Sequence, residues 1–526
     1  MDPVELEVLR NAVTFVPEEM GIALRRTAYS PNIKERMDAS CAVFNGEGRM
    51  LAQAEHIPVH LGSMPVTIDV LREEMGGDLA DGDQVIVNDP YRGGSHLPDI
   101  TLVRPIFYRG TLRGYAVNKA HHADVGGSAP GSMPADSVVL ADEGIVIPPT
   151  KFLRRGEEVR EVVQEIIRGT RNPRERLGDL RAQVAANELG ASRFLSLLTK
   201  YGATRIDTFA SEILAYSERR VRAAIAAMPR GTWRARDVLE DSRDDGFLPI
   251  AAEVTVGGSG ILVDFEGTSR QIEGNLNAPL SVTLSATYYV FRCLTDPEAP
   301  ANSGCYAPIA VHAPHGSLVN PRPPAPVAAG NVETSSRIVD VLLLAMAEAL
   351  PGVVPAQSQG TMNNLLIGGR WSSQDFSYYE TIAGGEGAFP FREGQSGIHT
   401  HMTNTKNTPV EALELAYPLR VEEYRLIPQS GGAGRHRGGD GIRRSIRFLA
   451  DRGTLTIISD RRRRGPAGLA GGRDGRRGRN RLIRGGRPAA LPGKTTREVR
   501  RGDVVVVETP GGGGWGRPAV RKGQAP

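Results

Sequence analysis

The 526-residue chain carries 64 Lys and Arg against 60 Asp and Glu and is 40% hydrophobic and 24% charged. That is the make-up of a soluble globular protein with about two to four structural units. No apolar run reaches the roughly 20 residues needed to cross a membrane, and the opening MDPVELEVLR lacks the basic-then-apolar order of a secretory signal. Three scattered cysteines, Cys41, Cys293 and Cys305, exclude a disulfide framework or a cysteine-based zinc site and fit a reducing cytoplasm.

Residues 3–28 repeat apolar side chains at helical spacing, with Asp2 as cap and Pro3 in the first turn. Strands Ser40–Phe44 and Met50–Ala54 follow as a hairpin about Asn45-Gly46. Asp38 stands at the mouth of the first strand, where it also suits an ion pair with Lys34 or Arg36. In EHIPVHLGSM, His56 and His60 read as structural histidines, and Ser63 caps a helix through Met75.

The stretch from Asn88 to Gly127 concentrates the chemistry. His96 and Asp99, three apart on a glycine-rich loop, enter the strand-like run Ile100–Phe107. Arg109-Gly110 supplies a turn, and His121, His122 and Asp124 end the returning run Tyr115–Lys119. A hairpin brings the two polar ends together. Two imidazoles and a carboxylate suit one divalent ion, Zn, Mn or Fe, which with an open position polarises a carbonyl or acidifies water. HxxD spacing also arises by chance, and such residues at turns bond to their own loops, so spacing leaves both readings open.

A loop-rich segment with Glu143 and Lys151 comes next, then helices over Pro173–Lys200 and Thr204–Met228 whose Arg/Glu faces read as solvated or oligomeric surfaces. Strands Ala251–Val256 and Ile261–Phe265 and an apolar helix near Leu280–Leu294 lead into a Pro/Gly-rich passage at 302–336. A loop of that length is usually functional or wraps a neighbour. Helix Ser335–Leu350 closes this part.

YYETIAGGEGA and GQSGIHTHMTNTKNTPVEALE form a second polar cluster. His399 and His401 alternate on an extended segment, so both face one side, and with Asn404 and Glu386 they stand as candidate substrate-binding residues. The alternative is a solvated strand face. From Leu415 onward, β-like runs alternate with glycine-rich turns.

Charge is uneven: from Arg435 onward there are 24 Lys and Arg against 7 Asp and Glu, leaving 40 against 53 before it. With few aromatics to stack bases, the run Arg461–Arg464 reads as a folded basic face that docks on an acidic partner or on the chain's own acidic body, rather than on nucleic acid. The expected fold is α+β, divided into 1–170 (metal-site region), 171–235 (long helical pair), 236–414 (central region with the second cluster) and 415–526 (β-rich basic region). No GxxxxGK[ST], GxGxxG or Gly-x-Ser-x-Gly pattern is present; the nearest phosphate-loop fragment, GKTT at 493–496, has Pro488 where the first glycine belongs.

Read together, SPNIKERMDASCAVF, NDPYRGGSHLPDITLVRPIF, AHHADVGG, EGIVIPP, NSGCYAPI, YYETIAGGEGA, HTHMTNTKNTPVEALE, YPLRVEEYRL, SGGAGRHRGG and TPGGGGWG resemble the hydantoinase B/5-oxoprolinase family over nearly the whole chain. The resemblance implies a metal held by Asp38, His96, Asp99 and His121, with Asp38 resting on the resemblance alone. His122 and Asp124 would orient His121 or the substrate, and with Glu143 they complete the candidate catalytic set. It also implies a hydantoinase A-type partner that uses ATP to phosphorylate the oxygen of a cyclic amide. This chain then hydrolyses the activated intermediate, within a hetero-oligomer such as a heterotetramer, or a homo-oligomer when alone. Two alternatives stay open: a subunit of an ATP-dependent ketone carboxylase, and a non-catalytic scaffold.

Overall fold

A computed structural model describes residues 2–518, apart from positions 55, 56, 242 and 245. The chain is α+β and packs as two units. One comprises Met1–Thr232, Val254–Glu266 and Arg270–Asn331; the other comprises Trp233–Glu253, Gly267–Ser269 and Val332–Pro526. The interleaving arises because the chain leaves the first unit and returns to it, a path that composition shifts along the sequence do not reveal.

The first unit is built on a seven-stranded antiparallel sheet. Its strands are β1 (Ala39–Asn45), β2 (Met50–Gln53), β3 (Gln84–Val87), β4 (Asp99–Tyr108), β5 (Thr111–His121), β6 (Thr150–Arg154) and β7 (Glu157–Glu158), in the order β2-β1-β5-β4-β3-β6-β7. Strands β4 and β5 form the expected hairpin. Tyr108 pairs with Thr111, and Arg109 and Gly110 between them take φ of 53° and 77°, the left-handed pair that a two-residue turn needs to match strand twist. The register sets Asp99 opposite His121.

Successive side chains of β5 point to opposite faces, and this alternation organises the unit. On one face Asn118 Nδ2 donates to Gln183 O and Asn187 Oδ1 of the helix Pro173–Tyr201. The helix Pro3–Thr27 covers the same face, its stripe Leu9, Val13, Val16, Met20 and Leu24 packing with Cys41, Val43, Ala116 and Ala120. Each large side chain so buried is worth about 1.5–3 kcal/mol before entropy. On the other face Lys119 Nζ donates to Ser63 Oγ at 2.8 Å.

Two expectations need correction here. Ser63 is not the cap of the helix Ser63–Met75; Gly62 holds that position without a side-chain cap, because the Ser63 hydroxyl donates to His60 O and accepts from Lys119. Nor do all the charged residues of the helix Pro173–Tyr201 lie on a solvated face. Its inner side buries Arg176, Asp179, Gln183 and Asn187, polar residues that the apolar-periodicity argument leaves out.

The second unit contains a four-stranded sheet, ordered Gln374–Thr381, Asn364–Trp371, Arg452–Ile458, Lys494–Arg500. A five-stranded sheet follows the order Leu419–Leu426, Ile442–Phe448, Val504–Glu508, Arg479–Arg484, Arg487–Leu491. Both sheets contribute to one core that includes Leu365, Tyr378, Ile446, Phe448, Leu455 and Val505. The glycine runs beside them are not all turns. Gly512 N donates to Gly439 O and Gly432 N to Gly512 O, and a Cβ on Gly512 would lie 2.0 Å from Glu386 O. The runs are backbones packed closer than any side chain allows.

The basic run docks on the chain's own acids. Arg461, 3% exposed, reaches Asp237 and Asp340 at 2.8 Å each. The backbone N–H groups of Arg462, Arg463 and Arg464 converge on the Glu240 carboxylate at 3.0, 2.7 and 3.1 Å. An external acidic partner for this run is therefore not needed.

Candidate metal centre

Antiparallel register and one loop assemble the centre. His121 ends β5, Asp99 begins β4 opposite it, and His96 precedes Asp99 by a tight turn in which Asp99 N donates to His96 O. His96 Nε2 lies 3.1 Å from Asp99 Oδ1, His121 Nδ1 lies 2.9 Å from the same oxygen, and the two ring nitrogens are 3.2 Å apart. All three residues are buried. Among the described residues, this is the His/Cys/Asp/Glu group whose ligand atoms gather within 4.8 Å of one another.

The donor set fits a divalent ion. Ligand atoms about 2.1 Å from a common ion stand about 3.0–3.4 Å apart, close to the separations here. The groups behind the donors fit as well. Asp99 Oδ2 accepts from Ser95 Oγ at 2.6 Å and from Asn331 Nδ2 at 3.4 Å, and it lies 3.4 Å from His60 Nε2. His96 Nδ1 faces Ala328 O at 3.3 Å, the arrangement that fixes the tautomer of a ligating histidine.

Electrostatics at the centre follow from burial and proximity. Burial works to raise the Asp99 carboxyl, but the imidazoles of His96, His121 and His60 outweigh it and hold it well below the usual carboxylate range. For His96, burial pushes downward, yet the Asp99 carboxylate raises it overall. Burial dominates at His121, which is lowered.

The other candidates fall into separate places. Asp38 is adjacent: its carbonyl accepts from His121 N at 3.0 Å, while its carboxylate lies 3.9 Å from Arg36 and outside the close-set group. His122 points to the opposite face of the sheet, where Nε2 meets Gln183 Oε1 at 2.8 Å; consecutive strand residues cannot both face one ion. Burial, with Arg176 nearby, holds this imidazole well below its ordinary range, hence neutral. Asp124 is a loop organiser, accepting from the N–H groups of Gly126, Gly131 and Arg171 and from Arg171 Nη1.

Glu143 sits behind the centre. Its carboxylate accepts from Val327 N, Ala328 N and Ser137 Oγ at 3.0 Å each. It thereby holds the segment whose Ala328 carbonyl faces His96. Burial pushes this carboxyl up to about 7. The long Pro/Gly passage is thus a wall of the site, supplying Ala328 and Asn331.

Sequence reasoning passed over His60 and Lys119 beside the centre and, on the opposite face of the sheet, Gln183. His60 joins Ser40 Oγ at 2.9 Å to Asp99, although it reads as an isolated structural histidine; its neighbour His56 lies outside the described residues. Lys119, fully buried, shares its face of β5 with His121, and the two-residue spacing was the available signal. Gln183 carried no signal beyond being polar on a helix.

The second cluster departs from an extended strand. His401 has φ of 58°, so alternation does not orient His399 and His401 together. Glu386 accepts from Arg392 at 2.7 and 2.9 Å and from Gln395 N at 2.9 Å. Asn404 is exposed. Burial pushes His401 down to about 4.

Residues 2–518 match the sequence profile described as Hydantoinase B/oxoprolinase. The chain belongs to the hydantoinase B/oxoprolinase family. It is 39% identical to 5-oxoprolinase 1 of Arabidopsis thaliana over 541 residues, covering 98% of this chain and 42% of the plant protein, so it spans about two fifths of that relative. A protein of Pseudomonas sp. named as a D-/L-hydantoinase subunit is 33% identical, with 99% of this chain and 91% of that one covered. Among solved structures, the ATP-dependent caprolactamase from Pseudomonas jessenii superposes with a TM-score of 0.92 at 28% identity, covering 98% and 92% of the two chains. An acetone carboxylase structure shares the fold, with a TM-score of 0.89 at 21% identity and coverage of 98% and 76%.

Proposed function

We propose that this chain is the metal-dependent hydrolytic subunit of an ATP-dependent cyclic-amide hydrolase acting on a hydantoin, 5-oxoproline or another lactam. The carrying observation is the buried convergence of His96 Nε2, His121 Nδ1 and Asp99 Oδ1 within 3.2 Å of one another. A scaffold has no use for three donors aimed at one point. The relatives named for oxoprolinase, hydantoinase and caprolactamase activity favour the hydrolase over the carboxylase reading, which rests on shared fold alone.

A plain lactam resists water because its carbonyl is a poor electrophile and its nitrogen a poor leaving group. ATP-dependent phosphorylation of the amide oxygen, carried out by a hydantoinase A-type subunit, removes both obstacles. His96, Asp99 and His121 would hold one divalent ion, and Asp38, whose carbonyl holds His121 N, would stand beside it. The ion, when bound, supplies Lewis acidity toward the substrate and acidifies water.

The protein's own groups do the rest. Ser95, His60 and Asn331 fix the Asp99 carboxylate, and the Ala328 carbonyl orients His96. Water adds to the ring carbon, the C–N bond breaks with its electron pair and the proton going to nitrogen to give the ring-opened amine, and a second water cleaves the resulting acyl phosphate to the carboxylate and inorganic phosphate. The dry surroundings strengthen each charge interaction and exclude competing solvent.

The test is to purify the chain with and without its ATP-binding partner and to measure divalent metal, ADP and ring-opened product for hydantoins, 5-oxoproline and lactams. About one ion per chain, and product formed only when both subunits and ATP are present, support the proposal. Turnover of an unactivated lactam by this chain alone would refute it, and ketone carboxylation with bicarbonate would move it to the carboxylase branch.

A further inference from the structure

The sheet of the first unit carries a second polar row, one step in from the metal ligands. Register sets Asp99 of β4 opposite His121 of β5. Two residues further in, it sets Thr101 opposite Lys119, with Ser40 of β1 on the other side of Lys119. Side chains two apart on a strand share a face, so this row lines the same side of the sheet as the centre, and all three residues are fully buried. Ser40 is committed, its hydroxyl lying 2.9 Å from His60 Nδ1. The other two are not. The Thr101 hydroxyl has no hydrogen-bond partner. An ammonium has three donors, and among the described residues Lys119 Nζ reaches Ser63 Oγ at 2.8 Å and forms no ion pair.

A buried charge is ordinarily paired, because its desolvation is costly. The carboxylate whose charge acts on Lys119 is that of Asp99, and it is committed to His96 and His121. Asp38 lies 3.9 Å from Arg36, and Glu143 is held by Ser137, Val327 and Ala328. The acids around the centre therefore leave Lys119 without a counter-charge of its own. Its Nζ also stands at the first residue of the helix Ser63–Met75, whose N-terminal end has no side-chain cap and carries the positive end of the helix dipole. Both features favour an anion. A neutral carbonyl takes one donor and leaves the charge unpaired, whereas a phosphoryl group brings three acceptor oxygens and about two negative charges. The Lys119 row lies about 7 Å from the ligand row along the strand, a distance that a phosphoryl group bonded through oxygen to the reacting carbon spans.

We propose that Lys119 and Thr101 form a phosphoryl-binding subsite beside the metal centre. The Lys119 ammonium pairs with the charged phosphoryl oxygens, and the Thr101 hydroxyl donates to one of them. The assignment rests on the proposed reaction, in which the amide oxygen arrives phosphorylated. It also states what the centre selects: the activated, anionic amide over the plain lactam, whose neutral carbonyl leaves Lys119 unpaired. The same contacts hold the acyl phosphate that remains once the ring has opened.

The experiment uses the full-length chain loaded with Mn(II), without partner, ATP or cyclic amide, and takes inorganic phosphate as the probe. Binding is read by calorimetry and by paramagnetic broadening of the phosphorus NMR resonance. The wild type is expected to bind phosphate beside the ion and to melt higher in its presence. Lys119→Met should keep its metal, melt no lower than the wild type and bind phosphate at least tenfold more weakly, while Lys119→Arg retains the binding. Thr101→Val, which leaves the charge in place, should weaken binding several-fold. Three outcomes overturn the inference: a wild type that binds no phosphate, a Lys119→Met variant that binds it as tightly as the wild type, or phosphate binding that Lys119→Met removes only together with the metal. If Lys119→Met does not fold, Thr101→Val decides, and an unchanged phosphate affinity there overturns the inference as well. Because neither ATP nor amide is present, failure of the proposed hydrolysis leaves this result untouched, and ring opening by a wild type that ignores phosphate refutes the subsite alone.

Discussion

His122 Nε2 and Gln183 Oε1 meet at 2.8 Å on the face of the sheet turned away from His121. Gln183 also donates to Ile100 O and Asn118 Oδ1. Gln183→Leu leaves these buried groups without a partner, at about 1–3 kcal/mol. The expected result is a lower urea midpoint with metal content intact, measured by denaturation and elemental analysis. Loss of metal in this variant would show that His122 works for the centre after all.

Arg461 is the buried hub between Asp237 and Asp340. Removing one partner of a buried ion pair costs about 3–5 kcal/mol. Arg461→Ser should therefore destabilise the second unit at any salt concentration, as followed by thermal melting at low and high salt. A solvated surface arginine would give almost no effect.

Gly512 lies where a Cβ would stand 2.0 Å from Glu386 O, a backbone atom that cannot swing aside. Gly512→Ala should lower stability by several kcal/mol or prevent soluble expression, since overpacking against backbone has no rotamer to relieve it. Gly485, with nothing within 4 Å of its built Cβ, is the control, although its φ of 55° adds a modest strain for alanine.

His401 is pushed down to about 4 by burial, while an unfolded imidazole titrates near 6.5. Below pH 6.5 the unfolded chain takes up a proton that the folded chain refuses, so stability falls as pH drops from about 6.5 to about 4 and the contribution then levels off. His401→Gln should flatten that part of the stability–pH curve, measured by urea denaturation at successive pH values. An unchanged slope would mean that His401 already titrates normally in the fold.

The hairpin that carries the centre was legible because its determinants are local: alternating apolar residues, a two-residue turn and polar ends. The opening helix and its Asp2 cap were legible for the same reason. His121 and His122 read as a pair because adjacency in sequence suggests adjacency in space, whereas a strand sends neighbours to opposite faces. His399 and His401 misled in the reverse sense, since the left-handed backbone at His401 breaks the alternation. Gln183 and Asn331 lay beyond reach because each meets the hairpin end only through tertiary packing, 61 and 232 positions away in sequence. The basic run Arg461–Arg464 read as docking either on a partner or on the chain's own acids, and charge counts could not choose because they do not say where Asp237, Glu240 and Asp340 fold.

The most direct measurement of the central claim uses the complex of this chain with the proposed ATP-binding partner and a cyclic amide, in a single turnover, comparing wild type with Asp99→Asn. ADP and ring-opened product are quantified together with divalent metal. The expected result is that Asp99→Asn loses the metal and lowers ring opening by at least a hundredfold, while the ADP formed in the first turnover persists. Ring opening at the wild-type rate in the metal-depleted variant would contradict the assignment of hydrolysis to the His96, Asp99 and His121 centre.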